Sequence, residues 1–300
     1  MRLLTFDIED WFHLLDHDAT RTELAWAAFP TRIYESVDRI LALLAQRDVK
    51  ATFFCLGWMA ERYPEVIKLI DDAGHEIGSH SYSHQLVSTL SVKEFQQDVE
   101  RSVRTIEDLI GKKVRMFRAP GFSVTGKTPW FIHTLRGCGI EIDCSVTAAR
   151  HSHGGERAFP GETPRLISYR GVVIKEFPLN AWGVRGLKVP FSGGGYFRLL
   201  PYWLISRLMR RSGYAMTYFH PRDFDPEQPL LQGLSPLRRF KSYYGLSTSF
   251  GKLSNLLRDF EFLSVGDADR AFRWDAVPVF ELDRRLQHPY ADKGLAREIG

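Results

Sequence analysis

The chain predicts an α/β protein with mainly parallel strands and helices packed outside them. Three observations carry that expectation. Short apolar, β-rich runs (Arg2–Phe6, Lys50–Leu56, His75–Gly78, Met116–Arg118 and Ile140–Asp143) alternate with segments of helical period at close intervals. Most of these runs deliver a polar group at the C-terminal end: Asp7, His80, Arg118 and Asp143, as on the top rim of a barrel-like α/β active site. Finally, 300 residues with 44% apolar and 25% charged side chains suffice for one large core.

The elements follow in order. Arg2 to Phe6 ends in Asp7-Ile8-Glu9-Asp10, the pattern of a buried strand handing over carboxylates; an extended backbone would put Asp7, Glu9, Trp11 and His13 on one face. Ile33, Val37, Ile40, Leu41 and Leu44 predict a helix within 31–47, and KATFFCL a strand over 50–56. A helix over 59–73 stops at Gly74, a C-cap residue, before the strand at 75–78. Ser91 and Glu94 form a capping box for a helix whose stripe is Val99, Val103, Ile106 and Ile110 and whose stop is Gly111. A strand at 116–118, a helix at 130–138 and a strand at 140–143 follow. Arg150 to Arg170 reads as a long loop, with His151 and His153 as further candidate ligands.

Val172–Phe177 is a strand. Pro190–Phe197, with Gly193, Gly194 and Gly195, is a glycine-rich turn able to cradle an anion before a helix reaching Arg211; it lacks the Lys-Ser/Thr of a nucleotide-triphosphate loop. Tyr214–Phe219 is a strand that hands over His220. Helices near 236–244 and 249–259 and a strand near 261–265 complete a single domain over 1–270, with an insertion around 150–200. Residues 271–300 form a C-terminal extension, packed on the domain or frayed.

The net charge of +4 and the absence of a long basic run argue against nucleic acid as a partner. The clusters Arg207, Arg210, Arg211 and Arg238, Arg239, Lys241 read as solvated helix faces, with contact to anionic lipid or sugar phosphate as the alternative. Three cysteines without a CxxC fit a reducing compartment. No apolar segment is long enough for a transmembrane span, and acidic residues follow too soon after Met1 for a signal peptide, so the expected location is cytoplasmic. Oligomeric state is not legible.

His80 and His84 have metal-ligand spacing, because two imidazoles four residues apart fall on one side of a turn and reach one cation; Ser79, Ser81, Tyr82 and Ser83 can hold their second nitrogens. A third, anionic ligand is offered by the first ten residues. A carboxylate with two histidines leaves positions open for water and substrate and suits Lewis-acid hydrolysis. A second carboxylate then takes the proton from water and a separate acid protonates the leaving group. Asp7 and His220 are candidates for these roles, with Arg118 and Asp143 to orient and tune them.

The segments Thr5-Phe6-Asp7-Ile8-Glu9-Asp10, His80-Ser81-Tyr82-Ser83-His84, Arg118-Ala119-Pro120-Gly121, Ile142-Asp143-Cys144-Ser145 and Tyr218-Phe219-His220 resemble, in order, the five motifs of the polysaccharide deacetylase family with its NodB-homology domain. More narrowly, Asp7–His13, Pro190–Arg198 and His220–Asp225 are similar to the branch found with bacterial exopolysaccharide and lipopolysaccharide gene clusters. The resemblance implies a distorted (β/α)7 barrel and metal-dependent removal of an acetyl group from an N-acetylated sugar. It implies Asp7 as catalytic base, His80 and His84 as ligands of zinc or another divalent transition metal, and Arg118 as the partner of the base. It further implies Gly121 as oxyanion-stabilising N–H, Asp143 as the acid that tunes His220, and His220 as general acid.

The chain departs from the family pattern in three places. Ile8 replaces the usual metal-binding aspartate of the first motif, which leaves Glu9 as the expected third ligand and Asp10 as the fallback. The aromatic after Asp143 is missing, and extra residues separate Asp143 from His220. Trp11, His13, Trp182, Tyr196 and Phe197 are candidates to line the sugar pocket. The expected substrate is a nucleotide-linked or lipid-linked N-acetyl sugar of surface-polysaccharide synthesis. The alternatives are a hydrolase of a cyclic amide or ureide and a non-catalytic carbohydrate-binding barrel.

Overall fold

A computed structural model of the chain describes residues 1–15, 17–149, 153–155, 162–184 and 187–283. Its strands are β1 (Arg2–Leu3), β2 (Thr5–Ile8), β3 (Thr52–Cys55), β4 (Glu76–Ser79), β5 (Met116–Phe117), β6 (Ile142–Asp143), β7 (Arg165–Tyr169), β8 (Val172–Glu176), β9 (Trp182–Val184), β10 (Leu187–Val189), β11 (Ala215–Met216) and β12 (Val279–Glu281). The sheet order is β12-β7-β8-β6-β5-β4-β3-β2, and every pair from β2 round to β8 is parallel. On the far flank β11 runs parallel to β1, and the ladder continues as the Phe6–Phe219 bridge. With β1 and β2 counted as one bent strand, seven parallel strands circle the core.

The distortion lies between β8 and β11. Side chains join the wall there: Met216 N donates to Asn180 Oδ1 at 2.9 Å, Ser192 Oγ to Met216 O at 2.7 Å and Tyr214 Oη to Pro178 O at 2.9 Å. Strands buried on both faces explain why the β3 sequence TFFC is apolar without alternation, as parallel strands require. Phe6 and Phe53 stack at 5.0 Å inside. Helix Ile33–Arg47 buries Ile33, Val37, Ile40 and Leu44, and helix Val92–Ile110 begins at the Ser91–Glu94 capping box and ends at Gly111.

Several expectations need correction. The helix expected over 59–73 is two, Gly57–Arg62 and Pro64–Asp72, because Pro64 cannot continue the first and opens the second. Pro201 likewise divides the helix expected to reach Arg211 into Gly194–Leu199 and Tyr202–Arg211. The loop expected over 150–170 ends in a strand: β7 pairs antiparallel with β8 through Arg170-Gly171, both at positive φ (46° and 80°), the backbone of a two-residue hairpin turn. Beyond 270, β12 pairs parallel with β7, whereas residues 284–300 lie outside the described residues. No helix is long and apolar enough to cross a membrane among the described residues.

Candidate metal and catalytic centre

The strand ends at β2, β4, β5 and β11 contribute side chains to one buried cluster. β2 stays extended through Ile8, which points into the core; the chain then turns, with Glu9 N donating to Asp7 O at 3.0 Å. Asp7 and Glu9 therefore both face the barrel mouth. β4 ends at His80, and the following loop brings His84 back to the same point. Ser81 and His84 adopt left-handed backbone (φ 67° and 53°), conformations that cost energy in non-glycine residues and persist where neighbours hold them. Asp98, on helix Val92–Ile110, does so by accepting from Tyr82 N at 2.8 Å, Ser83 N at 2.9 Å and Ser83 Oγ. Nothing local in the sequence marks Asp98 for this task.

Glu9, His80 and His84 offer ligand atoms within 4.8 Å of one another, all buried. Glu9 Oε1 lies 3.0 Å from His80 Nε2 and 2.9 Å from His84 Nε2. The second nitrogen of His80 faces Arg118 O at 2.7 Å, and a carbonyl only accepts, so Nδ1 is the donor there and Nε2 is the nitrogen turned to Glu9. A bare lone pair opposite a buried carboxylate oxygen is unfavourable unless a proton or cation lies between them. One carboxylate and two imidazoles are a donor set for a divalent transition ion, and the residues fit such a group. Burial would push the Glu9 carboxyl up, but the neighbouring His84 and His220 and hydrogen bonds from His80 and His84 outweigh it and hold it well below the usual carboxylate range.

Asp10, the fallback ligand, is turned away. Its carboxylate accepts from Thr31 Oγ1 at 2.5 Å, Trp11 N at 2.7 Å and Arg32 N at 3.1 Å, and so pins the loop after β2.

Beside the triad, Arg118 is fully buried and donates from a terminal guanidinium nitrogen to Asp7 Oδ1 at 2.6 Å. The free oxygen, Oδ2, faces His220 Nε2 at 3.8 Å, and Glu9 Oε1 lies 3.9 Å from the same nitrogen. Burial opposes an imidazolium here, but Glu9, Asp223 and Asp7 outweigh it and raise His220 to about 9. Asp7, Glu9 and His220 form a second set of converging ligand atoms.

The partner of His220 is not the expected one. Asp223 Oδ2 accepts from both His220 N and Nδ1 at 3.0 Å, while its Oδ1 pairs with Arg198 Nε at 3.0 Å. Burial would raise the Asp223 carboxyl; His220 and the Arg198 and Arg222 charges bring it down to about 2. Asp143 instead accepts from Ser145 Oγ at 2.5 Å and shares a fully buried pocket with Glu176. Burial raises Asp143 to about 6, and burial with the neighbouring Asp143 pushes Glu176 well above its ordinary range. The two acids behave as one proton-sharing pair behind Arg118. The expected role of Asp143 as tuner of His220 is thus corrected: the sequence HPRD supplies an acid three residues on, and the short helix Pro221–Phe224 folds it back onto the imidazole.

The remaining candidates divide. Gly121 sits in the turn Pro120–Phe122 at φ 58°, where a side chain would meet Leu15, His153 and Leu86; the left-handed turn and this close packing both call for glycine. Trp11 is core, its ring against Phe12 and Phe29 and its Nε1 on Pro30 O at 2.9 Å, because the turn after Ile8 ends the extended alternation. Phe197 is core as well, edge-on to Phe219 at 4.7 Å. His13 is buried among Phe12, Trp26 and Trp58, accepts from Asp10 N at 2.9 Å, and is held neutral by burial, its pKa lowered to about 3. It backs His84, at 6.1 Å between rings, rather than lining an open pocket. Tyr196 is exposed and Trp182 half-buried in the β9–β10 hairpin. His153 lies beside Gly121, and His151 lies outside the described residues. Gly193, expected as part of an anion cradle, is needed for packing, since a Cβ there would stand 2.2 Å from Tyr218 O.

The polysaccharide deacetylase family model matches residues 17–137, and a model described as a domain of unknown function, DUF3473, matches residues 144–269. The first match holds His80, His84, Arg118 and Gly121; the second holds His220, Asp223 and Arg198. A peptidoglycan-N-acetylglucosamine deacetylase of Bacillus cereus is 36% identical over 86 residues, 29% of this chain and 31% of that protein. A peptidoglycan deacetylase of Helicobacter pylori is 35% identical over 92 residues, 31% of each chain. The chain thus spans about a third of the length of these curated relatives. A crystal structure from Mycobacterium smegmatis, assigned as a polysaccharide deacetylase, superposes over 93% of this chain and 92% of its own with a TM-score of 0.60 at 17% identity, which establishes a shared fold. Residues 17–137 thus match the polysaccharide deacetylase family, and the chain as a whole shares the fold of a structure assigned as such a deacetylase.

Proposed function

We propose that the protein is a metal-dependent deacetylase that removes the acetyl group from an N-acetylated sugar during surface-polysaccharide synthesis in the cytoplasm. The observation that carries this reading is the convergence, in one buried cluster, of the Glu9–His80–His84 donor set with the Arg118-held Asp7 and with His220. The relatives named as deacetylases of peptidoglycan support the amide-linked acetyl group as the target. The three cysteines, all free, are in keeping with the reducing compartment.

Glu9, His80 and His84 would hold zinc or a similar divalent ion, which supplies Lewis acidity toward the acetyl carbonyl and toward a water molecule. The protein does the rest. Asp7, fixed through Oδ1 by Arg118, keeps Oδ2 free to take a proton from the attacking water. His220, kept protonated by the surrounding carboxylates, donates to the departing sugar amine. The amide C–N bond breaks, acetate leaves, and the proton taken by Asp7 balances the one given by His220.

The test is acetate release from nucleotide-linked and lipid-linked N-acetyl sugars by protein whose metal content has been measured. Release from either class, lost on chelation and regained with added zinc, supports the reading. Cleavage of cyclic amides with none of acetylated sugars overturns it, as does sugar binding without any hydrolysis.

A further inference from the structure

The two basic clusters that the catalytic site does not use lie on neighbouring elements with an unusual amount of exposed apolar surface. Helix Tyr202–Arg211 buries Ile205, Leu208 and Met209 and turns Trp203 outward, 67% exposed, beside Arg207 and Arg211. Helix Pro236–Tyr243 turns out Leu237, 63% exposed, and Phe240, with Arg239 and Lys241 between and after them. The Phe240 and Tyr244 rings lie 4.7 Å apart at a tilt of 35°, both open to solvent. Single exposed apolar residues need no explanation, but large aromatic and aliphatic side chains interleaved with cations on adjacent helices do.

Packing ties these elements together. Arg198, on helix Gly194–Leu199, donates to the carbonyls of Lys241, Ser242 and Tyr244 at 2.8–3.0 Å, and Lys252 Nζ reaches the carbonyls of Arg198 and Leu200 at 2.7 and 2.8 Å. Tyr196 and Leu199 are exposed on that helix, which Arg198 joins to the end of Pro236–Tyr243 and which leads in sequence into Tyr202–Arg211. A groove on helix Tyr202–Arg211, lined by Tyr202, Trp203, Ser206, Arg207, Arg210 and Arg211 together with the carboxylate of Asp259, presents guanidinium groups of the kind that hold phosphate.

The same surface abuts the catalytic centre. Gly193, which leads into helix Gly194–Leu199, is bridged to Tyr218, and the Tyr218 ring stands 6.5 Å from that of His220. Arg198 itself links the patch to His220 through Asp223. Aromatic and aliphatic side chains with cations around them match a membrane interface with anionic headgroups: the rings enter the headgroup level while Arg and Lys meet lipid phosphates.

We propose that this face, formed by Tyr196, Leu199, Trp203, Leu237, Phe240 and Tyr244 with Arg207, Arg211, Arg239 and Lys241, docks on an anionic bilayer and sets the catalytic mouth against lipid-linked sugar. The choice of a lipid-linked substrate rests on the deacetylase reading; the docking itself does not.

The experiment is co-sedimentation of the full chain with vesicles of phosphatidylcholine alone and with anionic phosphatidylglycerol added, at low and high salt. The expected result is binding that requires the anionic lipid, weakens with salt, and falls at least tenfold in Arg239→Glu/Lys241→Glu and in Leu237→Ser/Phe240→Ser. Trp203→Ser, a single change at an exposed position, is expected to weaken binding severalfold with its circular dichroism melt unmoved, which separates docking from misfolding. Acetate release from a soluble acetylated sugar is expected to be unchanged in all three variants. Absence of binding to anionic vesicles, or binding that these variants leave intact, overturns the docking proposal. Docking with no acetate release from lipid-linked or soluble sugar overturns the deacetylase reading and leaves the membrane surface standing.

Discussion

Asp223→Asn tests the most specific departure of this site from what the sequence motifs imply. Asp223 receives two hydrogen bonds from His220 and pairs with Arg198 on its other oxygen, so it both aims the imidazole and supplies one of the three carboxylates that raise it to about 9. An amide in its place keeps the shape but removes the charge, and its NH₂ can face Nδ1 and favour the wrong tautomer. A general acid contributes about 10²–10⁴-fold, so a misaimed, less basic His220 is expected to lower kcat by about 10²–10³-fold, or about 3–4 kcal/mol at 1.36 kcal/mol per decade. KM is expected to hold, since Asp223 stands behind the imidazole.

The pH dependence has a definite sign. His220 must be protonated to act, so wild-type activity declines as pH rises past its raised pKa; without Asp223, the carboxylate bonded to Nδ1, the decline begins at lower pH, closer to the ordinary value of about 6.5. The same raised pKa contributes stability that is fully present below about pH 6.5 and lost as pH passes about 9. Acetate release measured from pH 5 to 10, with the His220 Nδ1–H resonance followed by NMR, reads both effects. A kcat within twofold of wild type, with an unmoved alkaline limb, would refute the assignment. Asp143→Asn is the control, expected to leave the limb in place because Asp143 faces Glu176 and Ser145.

Three further outcomes are expected. Purified protein is expected to carry about one equivalent of divalent metal by elemental analysis, lost in both Glu9→Ala and His80→Ala; retention in either variant would remove that residue from the ligand set. Gly193→Ala would drive a methyl group into Tyr218 O, next to His220, and is expected to cost about 1–3 kcal/mol in chemical denaturation; a neutral result would mean that the strand pair is looser than its geometry. Glu176 is pushed up by burial and by Asp143, so the pair favours folding below the ordinary carboxyl pKa of about 4 and loses that contribution as pH rises through about 6 and beyond. Glu176→Gln, which mimics the protonated acid, is expected to flatten the fall of Tm between pH 5 and 8, and a steeper fall would exclude proton sharing.

Much of the site was legible because strand ends advertise their cargo. An apolar run closed by Asp7, His80 or Arg118 states both the element and the rim, and the i, i+4 histidines state a shared cation. The substitution of Ile8 was also legible in its consequence: side chains alternate along a strand, so Ile8 belongs to the core and Glu9 remains beside Asp7. What failed was extrapolation of that alternation past the end of β2, where the turn at Glu9 sends Trp11 into the core and Asp10 onto Thr31 and Arg32.

The sequence by itself determined the parallel α/β class, the helix caps and stops, and the residues able to make a metal and acid–base centre, because these depend on period, local turn chemistry and residue type. The tertiary structure alone decided who partners whom. Asp143 and Asp223 are both acids near strand ends, and nothing local says which meets His220; that depends on the path of the chain through Pro221–Phe224 and on Arg198, fixed in turn by carbonyls more than forty residues away. Asp98 and Glu176 were likewise invisible, since each acts on residues brought near only by closing the barrel. Local patterning selects the parts, and long-range packing assigns their partners, because a hydrogen bond across the core carries no signature in the sequence on either side of it.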